Sequence, residues 1–157
     1  MIDVAPPLRL KPRGCGQRKS KKVFDLSERQ DDPIRIPIAL GEHVYSRLPF
    51  RDFLEANAIS YVQADVTRLA GVTEWLEVAA LASAFNVPVV PHHADMMRIH
   101  QHLGVATPGC PMIECIPWLQ EIFEEPLVIR EGWIYPGDTP GASTTIRKDK
   151  FGEYRVA

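Results

Sequence analysis

From Ile34 onward, short apolar runs alternate with longer stretches of helical periodicity, the pattern of repeated strand–helix units that build a parallel sheet. Ile36-Pro37-Ile38-Ala39-Leu40 reads as a buried strand ending at Gly41-Glu42-His43, and a helix is expected around Pro49 to Ala56. Ile59-Ser60-Tyr61-Val62-Gln63 is a second strand, ending at Asp65. Val72, Trp75, Leu76, Ala79 and Phe85 then recur at helical spacing, and Asn86 before Val87-Pro88 supplies the stop. Val87-Pro88-Val89-Val90 makes a third strand whose end is Pro91-His92-His93, followed by a helix carrying Met96, Ile99, His100 and Leu103. Pro111-Met112-Ile113 is the fourth, with Glu114 at its end. Beyond Pro126 the pattern is irregular: Leu127-Val128-Ile129 and Trp133-Ile134-Tyr135 predict strands, and Pro136-Gly137-Asp138 and Pro140-Gly141 predict turns.

Each of the four strands delivers an ionisable residue at its carboxyl end: Glu42, Asp65, His92 and Glu114. In a parallel (β/α) barrel those ends share one face, where such folds place their active sites. Taken singly, each has an ordinary structural role open to it, as a capping carboxylate, a satisfied loop histidine or a surface acid. Four in phase with strand ends point to a site. His100 and His102 fall on opposite sides of a helix and are expected to be structural or solvent-facing.

The 157 residues suffice for one domain with its own core, and 45% apolar with 24% charged residues is an ordinary globular balance. No apolar run approaches the roughly 18–20 residues of a membrane span, so no membrane partner is expected. Cys15, Cys110 and Cys115 are too few and too irregularly spaced for a disulfide framework, and a reducing cytoplasm is the simplest setting. The net charge of -2 hides an uneven distribution. Arg9, Lys11, Arg13, Arg18, Lys19, Lys21 and Lys22 crowd an acid-free stretch from Val4 to Phe24. A nucleic-acid patch, a targeting peptide and a solvated leader compete for it. Rich in Pro, Gly and Lys and poor in aromatics to stack on bases, residues 1–32 are expected to be a disordered basic leader that binds no nucleic acid, ahead of a domain at 33–157.

The strand-end motifs, in order, resemble the mandelate racemase and muconate lactonizing branch of the enolase superfamily. Pro37-Ile38-Ala39-Leu40-Gly41-Glu42 resembles that family's fifth barrel strand, whose terminal Glu is a Mg²⁺ ligand. Gln63-Ala64-Asp65-Val66-Thr67-Arg68 with Gly71-Val72-Thr73-Glu74 is similar to the sixth strand and its helix, which carry the Asp of a His–Asp dyad. Val87-Pro88-Val89-Val90-Pro91-His92 resembles the seventh strand with the catalytic His, and Ala106-Thr107-Pro108 through Glu114 resembles the eighth. The Pro140-Gly141 turn with Tyr154-Arg155-Val156 is similar to the C-terminal segment. Pro91-His92-His93-Ala94-Asp95-Met96-Met97 and His100-Gln101-His102 look most like acid-sugar dehydratases of the group.

The resemblance implies an α/β fold: the C-terminal half of a TIM-type (β/α) barrel with a β-rich C-terminal tail. It implies a lyase that abstracts the proton next to the carboxylate of a small sugar acid, Mg²⁺ neutralising the charge that develops. His92 would be the base or the acid, Asp65 its orienting partner, and Glu114 a hydrogen-bond donor to the nascent oxyanion. His93 rivals His92 for the base role, and with His43 is placed near the substrate. Racemisation by the same family is an alternative.

Only Glu42 of the family's three metal ligands maps onto this sequence, and the Lys-bearing second-strand motif has no counterpart, since Lys19-Ser20-Lys21 lies in a polar context. A complete barrel takes about 250 residues. A half-barrel exposes sheet edges and apolar surface, so a second copy or a complementing chain is expected to cover it, and a non-catalytic interaction module is the competing function.

Overall fold

The computed structural model describes residues 36–94, 98–116, 118, 120–150 and 152–155, together with the backbone of Leu8–Leu10. A ladder of parallel backbone runs through it in chain order. Strand β1 is Leu8–Leu10, and β2 (Ala39–Leu40) pairs with β3 (Tyr61–Val62), Ala39 opposite Tyr61 and Leu40 opposite Val62. Val62 bridges onward to Val89, donating its N–H to the Pro88 oxygen at 3.0 Å and accepting from the Val90 N–H at 2.8 Å. The next step leads to β4 (Met112–Ile113): the Glu114 N–H donates to the Pro91 oxygen at 3.2 Å, and the Ala94 N–H to the Glu114 oxygen at 2.8 Å. Among the described residues this ladder does not close into a barrel. It is the partial α/β arrangement expected of half of one.

The regular strands are shorter than the apolar runs that predict them. Val87–Val90 is reduced to the single bridge at Val89, and Pro88 and Pro91 explain why, since neither has an N–H to give to a neighbour.

Two helices cover one face of the ladder. Helix α1 (Arg47–Glu55) and α2 (Val72–Ala84) end alike, with Asn57 and Asn86 in left-handed backbone at φ 51° and 55°. The Ala58 and Val87 N–H groups reach back to the Phe53 and Ala82 oxygens, and those of Asn57 and Asn86 to Leu54 and Ser83. This doubly bonded stop is the one asparagine permits at low steric cost. At the other end of α1, the Arg47 N–H has no helical acceptor and donates instead to Glu74 of α2 at 2.8 Å, while the Arg47 guanidinium bonds Glu74 and Glu77 at 2.7 Å each.

Phe50 and Leu54 of α1 and Trp75, Val78, Ala79 and Ala82 of α2 pack with Val62, Ala64, Val66 and Val89 to form the main core. Complete burial of Phe50 or Trp75 is worth about 2–3 kcal/mol each. Leu76, placed by the sequence pattern with Trp75, lies off this stripe and is 47% exposed. The buried positions follow the 3, 1, 3 spacing of a single helical face, which excludes it.

Helix α3 (Ile99–Ala106) follows; Met96, expected in it, lies outside the described residues. The tail carries a 3-10 turn (Gln120–Ile122) and the hairpin of β5 (Val128–Arg130) and β6 (Trp133–Tyr135), joined by Glu131 and Gly132 at φ 51° and 82°, the paired positive values that suit a tight hairpin. Strand β1 lies between β4 and β6, parallel to the first and antiparallel to the second. The rest of residues 1–32, expected as a disordered leader, and Val156 fall outside the described residues. No described helix is long and apolar enough to cross a membrane.

Candidate active site

The ladder aligns the strand ends, and the core fixes them. Gly41 closes β2 at φ +141°, where a β-carbon would stand 2.5 Å from Phe50 Cε1 and 2.9 Å from the Gln63 carbonyl oxygen, so only glycine lets the buried ring lie against the backbone just before Glu42. Ahead of Asp65, the Ala64 carbonyl accepts from Trp75 Nε1 at 3.3 Å and from the His92 N–H at 3.2 Å. Helix α2 and two neighbouring strand ends are thereby tied at one atom.

Glu42, Asp65, His92 and Glu114 converge around the His92 ring. Its Nδ1 lies 3.0 Å from Asp65 Oδ2, and its Nε2 lies 3.3 Å from Glu42 Oε2 and 3.7 Å from Glu114 Oε2. Asp65 and His92 are 1% and 9% exposed, whereas the Glu42 side chain is 48% exposed, at the mouth. Gln63 donates from Nε2 to Glu114 Oε2 at 3.0 Å. Period-two alternation from Gln63 to Asp65 could have placed both side chains on one side of the strand, but an isolated Gln carries no signal of its own.

Burial works to raise the Asp65 pKa, yet hydrogen bonds from His92 and from the Thr67 hydroxyl and N–H outweigh it and hold the carboxyl at about 2. An ionised carboxylate only accepts, so His92 carries a proton on Nδ1, and the lone pair of its neutral form is at Nε2. His100 lies on the far side of Asp65, fully buried, and burial pushes its pKa down to about 4. Its Nε2 accepts the Val66 N–H at 2.8 Å, so the 3.6 Å separation from Asp65 Oδ1 is a contact of a neutral ring rather than an ion pair. The structural role expected of His100 is what this geometry gives it. His102 bonds the Ser143 hydroxyl at 3.1 Å.

His93 packs its ring edge-on to His92, centroids 4.0 Å apart, and faces Trp118 at 5.8 Å. His43 stands outside this cluster, 66% exposed in its side chain, with Nε2 3.5 Å from Glu42 Oε1. A cavity of about 450 Å³ between Ile122, Ile146, Lys150, Tyr154 and Arg155 belongs to the tail and includes none of the strand-end residues.

The donor set does not fit Mg²⁺. That ion wants near-octahedral oxygen ligation from carboxylates, carbonyls and water, whereas Glu42 already leans on two imidazoles and the potential ligands grouped within 4.8 Å of one another among the described residues are His92, His93 and Glu114. The described residues of this chain do not make a Mg²⁺ site by themselves.

Residues 22–150 match the family described as enolase C-terminal domain-like. Mitochondrial enolase superfamily member 1 of Xenopus laevis is 34% identical over 132 residues, covering 78% of this chain and 30% of that protein. L-talarate/galactarate dehydratase of Salmonella typhimurium is 34% identical over 110 residues, covering 70% and 27%. The crystal structure of L-talarate dehydratase from Polaromonas sp., complexed with Mg and L-glucarate, superposes with a TM-score of 0.66 at 33% identity, over 73% of this chain and 30% of that one. The chain thus spans about a third of the length of the relatives it matches.

Proposed function

This chain belongs to the enolase C-terminal domain-like family, and from that membership we propose that its four strand ends form the proton-transfer part of a sugar-acid dehydratase site. The observation that carries the reading is the Asp65–His92 hydrogen bond, which leaves the Nε2 lone pair directed at the mouth between Glu42 and Glu114. A base at that position removes the proton beside a substrate carboxylate, and Asp65 stabilises the imidazolium that results. The proton then stands at Nε2, where it can be returned to a departing β-hydroxyl. Glu114, held by Gln63, would donate a hydrogen bond to the developing oxyanion from its carboxylic-acid form. His93 and His43 would contact the substrate, and Glu42 would supply one carboxylate ligand to a Mg²⁺ whose other ligands this chain's described residues do not provide. The free thiols of Cys110 and Cys115 suit a reducing cytoplasm.

The chain spans about 30% of the length of the relatives it matches, so the test is complementation. The chain is combined with the N-terminal portion of a related dehydratase and offered galactarate, talarate and arabinonate in D₂O with Mg²⁺. Formation of a keto acid, with deuterium exchange beside the carboxylate, is expected in the mixture. A folded, stoichiometric assembly that neither exchanges nor dehydrates any of the acids refutes the reading.

A second reading, a non-catalytic interaction module, is favoured by one feature. Ile36, Ile38 and Leu40 are 67%, 47% and 36% exposed in and just before β2, whose outer side has no strand partner among the described residues. The same assembly, bound but inert, would support it.

A further inference from the structure

We propose that His92, His93 and Glu114 form a binding site for a divalent transition-metal ion of the zinc class, independent of any Mg²⁺ and of the proposed dehydration. One ligand atom from each residue lies within 4.8 Å of the other two. Donors around a tetrahedral Zn²⁺ stand about 3.4 Å apart, as follows from bonds of about 2.0–2.2 Å. The 3.7 Å between His92 Nε2 and Glu114 Oε2 is close to that spacing. Two imidazole nitrogens and one carboxylate oxygen are a zinc-class donor set, and divalent zinc, cobalt and nickel bind imidazole where Mg²⁺ does not.

The backbone supplies a second reason. Neighbouring residues in extended chain point to opposite faces, so adjacent histidines ordinarily diverge. His93 instead takes left-handed backbone at φ 51°, uncommon for a residue with a β-carbon, and its ring folds back to 4.0 Å from that of His92. Two rings that would have diverged lie together instead, each residue 8–9% exposed. The third reason lies behind the ligand. Asp65 accepts a hydrogen bond from Nδ1–H of His92, which orients the ring and leaves Nε2 as the ligand atom, the carboxylate–histidine–metal arrangement that raises ligand basicity. Glu42 Oε2, 3.3 Å from that Nε2, is placed to offer the fourth ligand, or to yield it to water. Occupation of Nε2 by a metal removes the lone pair the proton transfer requires, so Zn²⁺ inhibits that reaction wherever the reaction occurs.

The test is calorimetric titration of the whole, metal-stripped chain with ZnCl₂, and with MgCl₂ as comparison, followed by visible spectra with Co²⁺. One Zn²⁺ per chain is expected, with Mg²⁺ at least about 100-fold weaker. His93→Asn, chosen because Asn tolerates left-handed backbone, and Glu114→Gln should each weaken Zn²⁺ by about 10-fold or more, and Asp65→Asn by about 10–100-fold. His102→Gln, outside the cluster, should leave binding unchanged. Circular dichroism of each variant shows whether it folds, and the Co²⁺ spectrum of the unaltered chain needs no variant. Tetrahedral d–d bands without thiolate charge transfer support the site. Absence of binding, affinity retained by folded His93→Asn and Glu114→Gln, or thiolate bands from Cys110 or Cys115 would overturn it.

Discussion

Asp65 and His92, 27 residues apart in sequence, meet at 3.0 Å between Oδ2 and Nδ1 because the backbone N–H of His92 is bonded to the carbonyl of Ala64, one residue before the acid. The dyad is thus set by ladder register and not by loop flexibility. A one-residue slip of the His92 run would turn its side chain to the opposite face.

Asp65→Asn tests the electrostatic half of this pair. The amide can still accept from Thr67 through its oxygen, but it then offers N–H to Nδ1 and drives the ring proton to Nε2. In the complemented assembly, deuterium exchange beside the substrate carboxylate should slow by about 10²–10⁴-fold while the urea midpoint moves little. Exchange within threefold of the unaltered assembly, by proton NMR, would remove Asp65 from the mechanism.

His100 makes stability depend on pH. Its folded pKa of about 4 lies below the ordinary 6.5, so between those values the unfolded chain binds a proton that the folded chain does not. Stability is full above that window and falls by on the order of 3 kcal/mol as the pH drops through it. Asp65, lowered from 3.8 to about 2, adds a second loss below 3.8. Urea midpoints measured from pH 8 to 2 should therefore decline in two stages. His100→Gln, which keeps an acceptor for the Val66 N–H, should flatten the first stage and leave the second.

The helices and the two tail strands were readable from the sequence, the strand geometry only in part. Asn86 announces the end of α2 because asparagine adopts left-handed backbone readily, and Trp133-Ile134-Tyr135 forms the strand it predicts. The apolar run at Val87–Val90 gives its position but not its pairing, since its prolines withhold the donors a regular ladder needs. Glu42, Asp65, His92 and Glu114 were visible as strand-end residues, and the chain order of the ladder brings them together. The inward turn of His93 and the anchoring of Glu114 by Gln63 were not, because both depend on backbone angles and on a neighbour 51 residues away. Nothing in Leu8-Arg9-Leu10, three residues inside a basic stretch, distinguishes it as a strand.

Gly41→Ala measures the close approach of α1 to β2. The added methyl meets the Phe50 ring and the Gln63 carbonyl together in a backbone conformation that side chains avoid, and about 3 kcal/mol or more of stability should be lost. Gly109→Ala, at φ +81° with open space around the new carbon, isolates the backbone part at about 1 kcal/mol. Equal losses in urea titrations would mean that Phe50 moves aside freely.

Trp75 joins the core to the site. Trp75→Phe removes the donor to Ala64 and some volume and should cost about 1–2 kcal/mol; Trp75→Ala should cost about 3–5 kcal/mol. Amide exchange at His92, whose N–H shares the Ala64 oxygen, should quicken in both. Unchanged exchange there would show that the indole bond does not steady the strand end.

The strand Leu8–Leu10 occupies the flank of β4 and passes the sheet on to the hairpin of β5 and β6. On that side the sheet runs on through a segment of the same chain as far as β5, so among the described residues the end strands are β2 and β5. Like borders meeting about a two-fold axis saturate at two copies, whereas unlike borders can add without end, so which of the two strands a neighbour meets decides between a closed pair and an open filament.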